Sequence, residues 1–167
     1  MPEEDSFAVL VRIMQNYRMR EMFKPSMAEL GLCMYQLDML VQEHIPDLSA
    51  HFQSQAIHTN LYASSWFLTL FTTSLPIALS CRIMDCFLLD GIEVIFRLAI
   101  SLLLIGKSEL LVQDMEGVIR VRNGYFYEKT NIFIPIMSIL GNKIPMIKLF
   151  KSLFILLVFP KRNASKL

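Results

Sequence analysis

The sequence predicts an all-α fold for residues 1–117, followed by a tail of different character over residues 118–167. Three observations support this: apolar residues recur at helical spacing, proline and Asp-Gly pairs divide the chain into short helices, and hydrophobic residues make up 54% of the 167-residue chain. A chain of this length and composition can bury a substantial core, so the sequence excludes wholesale disorder.

The first helix is predicted to begin at Pro2. Proline is tolerated in a first helical turn, and the carboxylates of residues 3–5 lie at the positive end of the helix dipole. Apolar residues then recur at the spacing of a buried helical face. They are Phe7, Leu10, Val11 and Met14. The pair Lys24-Pro25 is predicted to end this helix.

A second helix is predicted after Pro25 and before Pro46, ending at about His44. Ser26 and Glu29 have the spacing of a capping box, in which each side chain bonds a backbone N–H of the other's turn. The predicted buried stripe consists of Leu30, Cys33, Met34, Leu37 and Val41. Another short helix is predicted to begin at Pro46.

Residues 61–81 contain no charged side chain and have the length of a membrane-spanning helix. Seven serine and threonine residues and Pro76 interrupt the segment, however. This pattern favours two buried helices that are broken near residues 73–76. Pro76 is predicted to open the second of them, which reaches Leu89, and Asp90-Gly91 is the predicted turn.

Residues 92–105 are apolar nearly all round, which is typical of a helix at the centre of a helical protein. Their polar stripe consists of Glu93, Arg97 and Ser101, each four residues after the last. Glu93 and Arg97 are therefore candidates for a structural ion pair.

The net charge of +1 conceals two segments of opposite charge. Residues 1–117 hold 14 acidic and 7 basic side chains, whereas residues 118–167 hold 1 and 9. Asn123-Gly124 indicates a β-hairpin within residues 118–129. Residues 132–159 are apolar, but their uninterrupted runs are too short to span a membrane. The tail is interpreted as an alternative or unspliced terminus, a membrane-seeking end or a folded replacement for lost helices, with the first favoured.

The usual catalytic and ligand-binding motifs are missing from the sequence. It contains no phosphate-binding loop, dinucleotide fingerprint, zinc-protease helix or serine-hydrolase elbow. The three cysteines form no disulfide framework, and Pro46 interrupts the seven-residue spacing of the three histidines. The basic side chains of the tail are scattered among aliphatic ones, so nucleic-acid binding is not expected. No metal or cofactor is expected.

Two long runs of sequence carry a family resemblance. FKPSMAELGLCMYQLDMLVQEHIPDL is followed by HFQSQAIHTNLYASSWFLTLF, and then by Pro76, Arg82, Asp85, Gly91, Phe96 and Arg97. Over about residues 1–116, this arrangement resembles the TBC domain of Rab GTPase-activating proteins, and most closely the ecotropic viral integration site branch. The resemblance implies an all-helical fold and a Rab GTPase as partner.

The resemblance also implies where catalysis would reside. Family members insert an arginine from an I-x-x-D-x-x-R motif and a glutamine from a Y-x-Q motif into the GTPase. Neither motif occurs in this sequence, and in the family both lie upstream of the segment that matches here. Arg82 corresponds instead to an R-x-x-D position, although Met84 replaces the tryptophan of many members. Arg82 and Asp85 are therefore expected to form an internal ion pair, and no catalytic residue is assigned.

These expectations describe a regulator of Rab GTPases and vesicle trafficking that is inactive alone and is not itself an enzyme. The alternatives are a non-catalytic module that binds a Rab or an effector, and a membrane-associated protein that acts through residues 132–159. Exposed apolar patches predict self-association. The expected location is the cytoplasm, with contact at membrane surfaces, although Ser165-Lys166-Leu167 matches a peroxisomal address.

Overall fold

The computed structural model describes residues 2–119, which form helices joined by short turns, with no strand in that range. The prediction of an all-α fold is therefore confirmed. The helices are α1 (Glu3–Asn16), α2 (Met19–Met22), α3 (Ala28–His44), α4 (Pro46–Ser54), α5 (Thr59–Thr69), α6 (Ile77–Asp90), α7 (Glu93–Ile105) and α8 (Lys107–Leu110). Residues 115–119 are helical as well.

Helix α7 lies at the centre of the fold, as its apolar sequence predicts. Nine of its 13 residues are buried, and it packs against α3, α5, α6 and α8. Phe96 meets Phe67 of α5 edge to face, with ring centroids 4.8 Å apart. Burying a large apolar side chain stabilises a fold by about 1.5–3 kcal/mol, so α7 supplies much of the core.

Helix α3 has the predicted length but not the predicted cap. All five residues of its predicted stripe are buried, and it ends at His44. The capping box was wrong, because Met27 occupies the N-cap position with φ 47° and no side chain caps the helix. Glu29 Oε2 accepts a hydrogen bond from Arg18 Nη2 at 3.2 Å instead. A long-range ion pair has replaced the local motif.

The predicted buried face of α1 was wrong at Phe7 and Leu10, although Met14 is partly buried against the core. Phe7 is 67% exposed and Leu10 48% exposed, whereas Ile13 is the buried residue of this helix. The helix ends at Asn16 rather than at Lys24-Pro25, because the short helix α2 follows it. Helical spacing identifies an apolar face. Within residues 2–119, however, no neighbouring element covers the part of that face at the start of α1.

The uncharged segment 61–81 forms two helices, as predicted. Helix α5 ends at Thr69, and α6 begins immediately after Pro76. Leu70 and Phe71 reverse the chain direction with φ values of 49° and 63°. Among residues 2–119, no helix combines the length and the apolar character needed to cross a bilayer.

Several predictions fall on residues outside the described range. These are the hairpin turn at Asn123-Gly124, the apolar segment 132–159 and the C-terminal Ser165-Lys166-Leu167. The predicted β-prone stretch begins at Val118, but residues 118 and 119 are helical. Val118 is buried in the core.

Candidate functional site

Arg82 and Asp85 lie on the solvent side of α6. Arg82 Nη1 is 4.0 Å from Asp85 Oδ2, and about two-thirds of each side chain is exposed, at 65% and 66%. A surface pair at this separation contributes little stability, because water screens the two charges. The guanidinium of Arg82 is therefore accessible to solvent.

Arg97 lies in a different environment, at the start of α7. Its side chain is 11% exposed, and Nη2 donates a hydrogen bond to Glu93 Oε1. Asp90 Oδ2, at the end of α6, is 4.0 Å from Arg97 Nη1. Ser101 Oγ donates to the Arg97 carbonyl oxygen at 2.6 Å. This enclosed guanidinium holds the α6–α7 turn and does not face outward.

The turn itself depends on Gly91. This residue has φ 75° and ψ −155°, a backbone conformation that is essentially restricted to glycine. It lets the chain reverse between Asp90 and Glu93, which brings both carboxylates to Arg97. The two ion pairs that the sequence singled out thus occupy opposite environments, one exposed and one enclosed.

The cysteines and histidines are spread over several helices. Among residues 2–119, no three potential ligands are grouped closely enough to hold a metal ion. His51 Nε2 donates to the Gln113 carbonyl oxygen at 2.8 Å, which joins α4 to the segment after α8. Burial raises the pKa of the Cys33 thiol to about 12, so at neutral pH it is not a thiolate nucleophile.

A partly buried polar contact joins α3 to α5. Thr59 Oγ1 donates to Asp38 Oδ1 at 3.0 Å. Tyr62 lies beside this contact, and burial raises the pKa of its phenol. These residues join two core helices.

Sequence reasoning missed a second apolar face of α3. Leu32, Tyr35 and Met39 are 38%, 64% and 45% exposed, and we refer to them as the outer stripe of α3. Their spacing of three and four residues places them on one face of the helix, away from the buried stripe. The same periodicity could have found them, but it does not distinguish a face that packs from one that stays open.

Residues 1–132 match the RabGAP TBC domain family model. The chain belongs to the RabGAP TBC domain family. The match continues beyond Gly117, and the predicted boundary at that residue stays a prediction.

Curated relatives of this TBC chain agree with the family. The ecotropic viral integration site 5 ortholog of Drosophila melanogaster is 65% identical over 120 residues, covering 72% of this chain and 15% of that protein. Rab GTPase-activating protein eat-17 of Caenorhabditis elegans is 51% identical over 138 residues, covering 80% and 16%. The TBC chain thus spans about one-sixth of the length of these relatives.

A solved structure matches the fold of this TBC chain. The crystal structure of the Ypt/Rab-GAP domain of Gyp1p superposes with a TM-score of 0.73 at 17% sequence identity. The match covers 90% of this chain and 45% of that one. At this identity the likeness establishes the fold alone, and the helices described above correspond to part of a Rab-GAP domain.

Proposed function

We propose that this chain is the C-terminal part of a Rab GTPase-activating domain and that its partner is a Rab GTPase. The observation that carries the proposal is the family match over residues 1–132. The name of the Caenorhabditis elegans relative supports the choice of GTPase. In this role the chain regulates GTP hydrolysis, and with it vesicle trafficking, within a larger assembly of helices.

We infer further that the 167-residue chain alone does not accelerate GTP hydrolysis. A GTPase-activating protein of the finger type stabilises the charge that develops on the transferring phosphoryl group, and a glutamine orients the attacking water. Neither the I-x-x-D-x-x-R nor the Y-x-Q motif is present in the sequence. Arg97 is enclosed beside Glu93, and the contact of Arg82 on α6 is with Asp85.

Single-turnover hydrolysis of GTP by a panel of Rab GTPases tests this inference. With the full chain present, we expect hydrolysis at the intrinsic rate of each GTPase, because a missing arginine finger forfeits an acceleration of about 10³–10⁵-fold. The complete Gyp1p domain, assayed beside it, serves as the positive control.

The Arg82→Ala variant shows whether any stimulation of GTP hydrolysis depends on Arg82. If the chain stimulates hydrolysis and Arg82→Ala abolishes the stimulation, Arg82 acts as the finger and the inference fails. Stimulation that survives Arg82→Ala would also contradict it. Binding of GTP-loaded Rab without stimulation would support the Rab partner while leaving the chain non-catalytic.

A further inference from the structure

We propose that the turn between α2 and α3 binds the surface of a membrane that contains anionic lipids. The contact is made by Arg20, Phe23, Lys24 and Met27, which we refer to as the basic corner. This membrane contact is a property beyond the proposed regulation of a Rab GTPase, and all four side chains lie in the described part of the chain.

The basic corner lies on a turn that projects from the fold. Residues 23–28 are all exposed, and the large apolar side chains of Phe23 and Met27 are 51% and 52% exposed. Met22 before the turn and Leu30 after it are buried, at 2% and 7% exposure. Two anchored ends therefore hold an exposed apolar tip in place.

The backbone of this turn has a defined conformation. The Met27 N–H donates to the Lys24 carbonyl oxygen at 2.9 Å, and the Gly31 N–H donates to the Met27 carbonyl oxygen at 2.9 Å. Met27 has φ 47°, a left-handed conformation that is unfavourable for a residue with a side chain. Such a conformation persists only where the surrounding structure imposes it. The tip is therefore ordered before a partner binds, which lowers the entropic cost of binding.

Positive charge is concentrated in the part of the chain that contains the basic corner. Residues 6–27 hold four basic side chains and one acidic one, whereas residues 28–117 hold three basic and ten acidic side chains. Arg20 is exposed, and it forms no ion pair with a carboxylate of residues 2–119. Its guanidinium is therefore available to an anionic group outside the described fold.

The acidic side chains near the basic corner are already paired. Lys24 Nζ lies 2.6 Å from Glu21 Oε2, and Arg18 Nη2 lies 3.2 Å from Glu29 Oε2. The hydrogen bond from Lys24 and the charges of Lys24, Arg18 and Arg20 lower the pKa of Glu21, as expected in a region of positive potential. The Lys24 side chain remains 53% exposed within its pair, so it can also contact a lipid phosphate.

An anionic bilayer suits this combination better than a peptide does. A projecting apolar tip can enter the interfacial region of a bilayer while the basic side chains beside it attract anionic headgroups. Binding sites for small segments are usually concave, whereas this turn is exposed along its whole length. The acidic surface of residues 28–117 is repelled by the same headgroups, which restricts the contact to the basic corner.

Flotation of the full 167-residue chain with vesicles tests the proposal. The vesicles consist of phosphatidylcholine with about 30 mol% phosphatidylserine. We expect the double variant Phe23→Ser, Lys24→Gln to lower the partition coefficient about tenfold, because it removes one apolar contact and one positive charge.

The matched control is the double variant Leu89→Ser, Arg82→Gln on α6. Leu89 is 85% exposed. Arg82 pairs with Asp85 at a separation of three residues, as Lys24 does with Glu21. Because the control removes the same kinds of side chain from another surface, it should bind the vesicles as the unmodified chain does.

A fluorescent label shows whether the basic corner itself meets the lipid. In a Cys81→Ser, Cys86→Ser background, Phe23→Cys carries the environment-sensitive dye nitrobenzoxadiazole. The thiol of Cys33 is buried, with its pKa raised to about 12, and stays unlabelled. We expect the emission of the dye to shift to shorter wavelength when the vesicles are added. The same dye at Leu89→Cys should not shift.

Results of two kinds would overturn the proposal in the vesicle assays. The first is a failure of the chain to float, or equal flotation of the corner variant and its control. Equal binding to vesicles of phosphatidylcholine alone would likewise remove the role of the basic side chains. The second is flotation without a shift of the dye at Phe23→Cys, because another segment would then hold the lipid.

Two further results would identify a different partner for the basic corner. A shift of the dye at Phe23→Cys that requires high protein concentration but no vesicles would show that a second copy of the chain covers the turn. A shift on addition of polyglutamate, without one on addition of vesicles, would assign the turn to an acidic protein surface. Either result would contradict the membrane contact.

Discussion

Arg82 and Arg97 each face a carboxylate one helical turn away, but only Arg97 is enclosed by the fold. The sequence alone predicts both pairs from their spacing. It does not predict their different surroundings, because burial depends on which helices pack around a position. In this fold α6 turns Arg82 toward solvent, whereas the Gly91 turn places Arg97 between the carboxylates of Asp90 and Glu93.

The two pairs should differ in their contribution to stability. We expect Glu93→Gln to lower the free energy of unfolding by about 1–3 kcal/mol, since a mostly buried guanidinium loses its nearest counter-charge. Arg82→Gln should change it by less than about 0.5 kcal/mol, because both partners are solvated. Urea denaturation followed by circular dichroism measures both values. Equal effects of the two substitutions would contradict the assignment of Arg97 as the enclosed residue.

At the scale of helices, periodicity and proline positions predicted most of the fold. They located α3 through His44, the break before α6 and the central position of α7. They failed at the ends and outer faces of helices. Met27 rather than Ser26 occupies the N-cap position of α3, which has no side-chain cap, and the start of α1 exposes Phe7. Such features depend on contacts between distant residues, such as Arg18 with Glu29, which local spacing does not encode.

Two glycines permit a matched prediction about helices and turns. A Cβ added at Gly31 or at Gly91 would meet no atom within 4 Å, so only backbone conformation distinguishes the two sites. Gly31→Ala should stabilise α3 by about 0.5–1 kcal/mol, because alanine favours a helix interior. Gly91→Ala should destabilise the chain by about 1–3 kcal/mol, because φ is 75° at that position.

Thermal unfolding of the two glycine variants beside the unmodified chain measures these changes. The midpoint should rise for Gly31→Ala and fall for Gly91→Ala. Shifts in the same direction would show that the turn between α6 and α7 does not require its left-handed backbone. Gly31 borders the outer stripe of α3, so a fall for Gly31→Ala alone would indicate that a close contact covers that face.

At the scale of the whole molecule, the aromatic core gives a single probe of folding. Trp66 is the one tryptophan of the chain, is 1% exposed and stacks on Phe71 with ring centroids 5.2 Å apart. We expect its fluorescence and the far-ultraviolet circular dichroism to change in one coincident transition during denaturation, because α5 packs directly on the central helix. Separate midpoints would show that α5 unfolds independently of the remaining helices.

For the candidate site, the sequence predicted which residues pair but not which of them are buried or exposed. The pairing of Arg82 with Asp85 and of Arg97 with Glu93 could be read from residue types and spacing. The outer stripe of α3 and the enclosure of Arg97 could not, because each is defined by which surfaces the packed helices leave open. The family match identifies the fold to which these helices belong. It does not specify which side chains on their surfaces are exposed.

The central position of α7 has a consequence for biosynthesis. Helices α3 and α5 precede α7 in the chain, so the ribosome releases their inward faces before the helix that covers them exists. At about 5–20 residues per second, the 13 residues of α7 take about 1–3 s to synthesise. Until then, Leu37 and Phe67 have no partner from α7. Chaperones that bind nascent apolar segments would meet the chain in this interval.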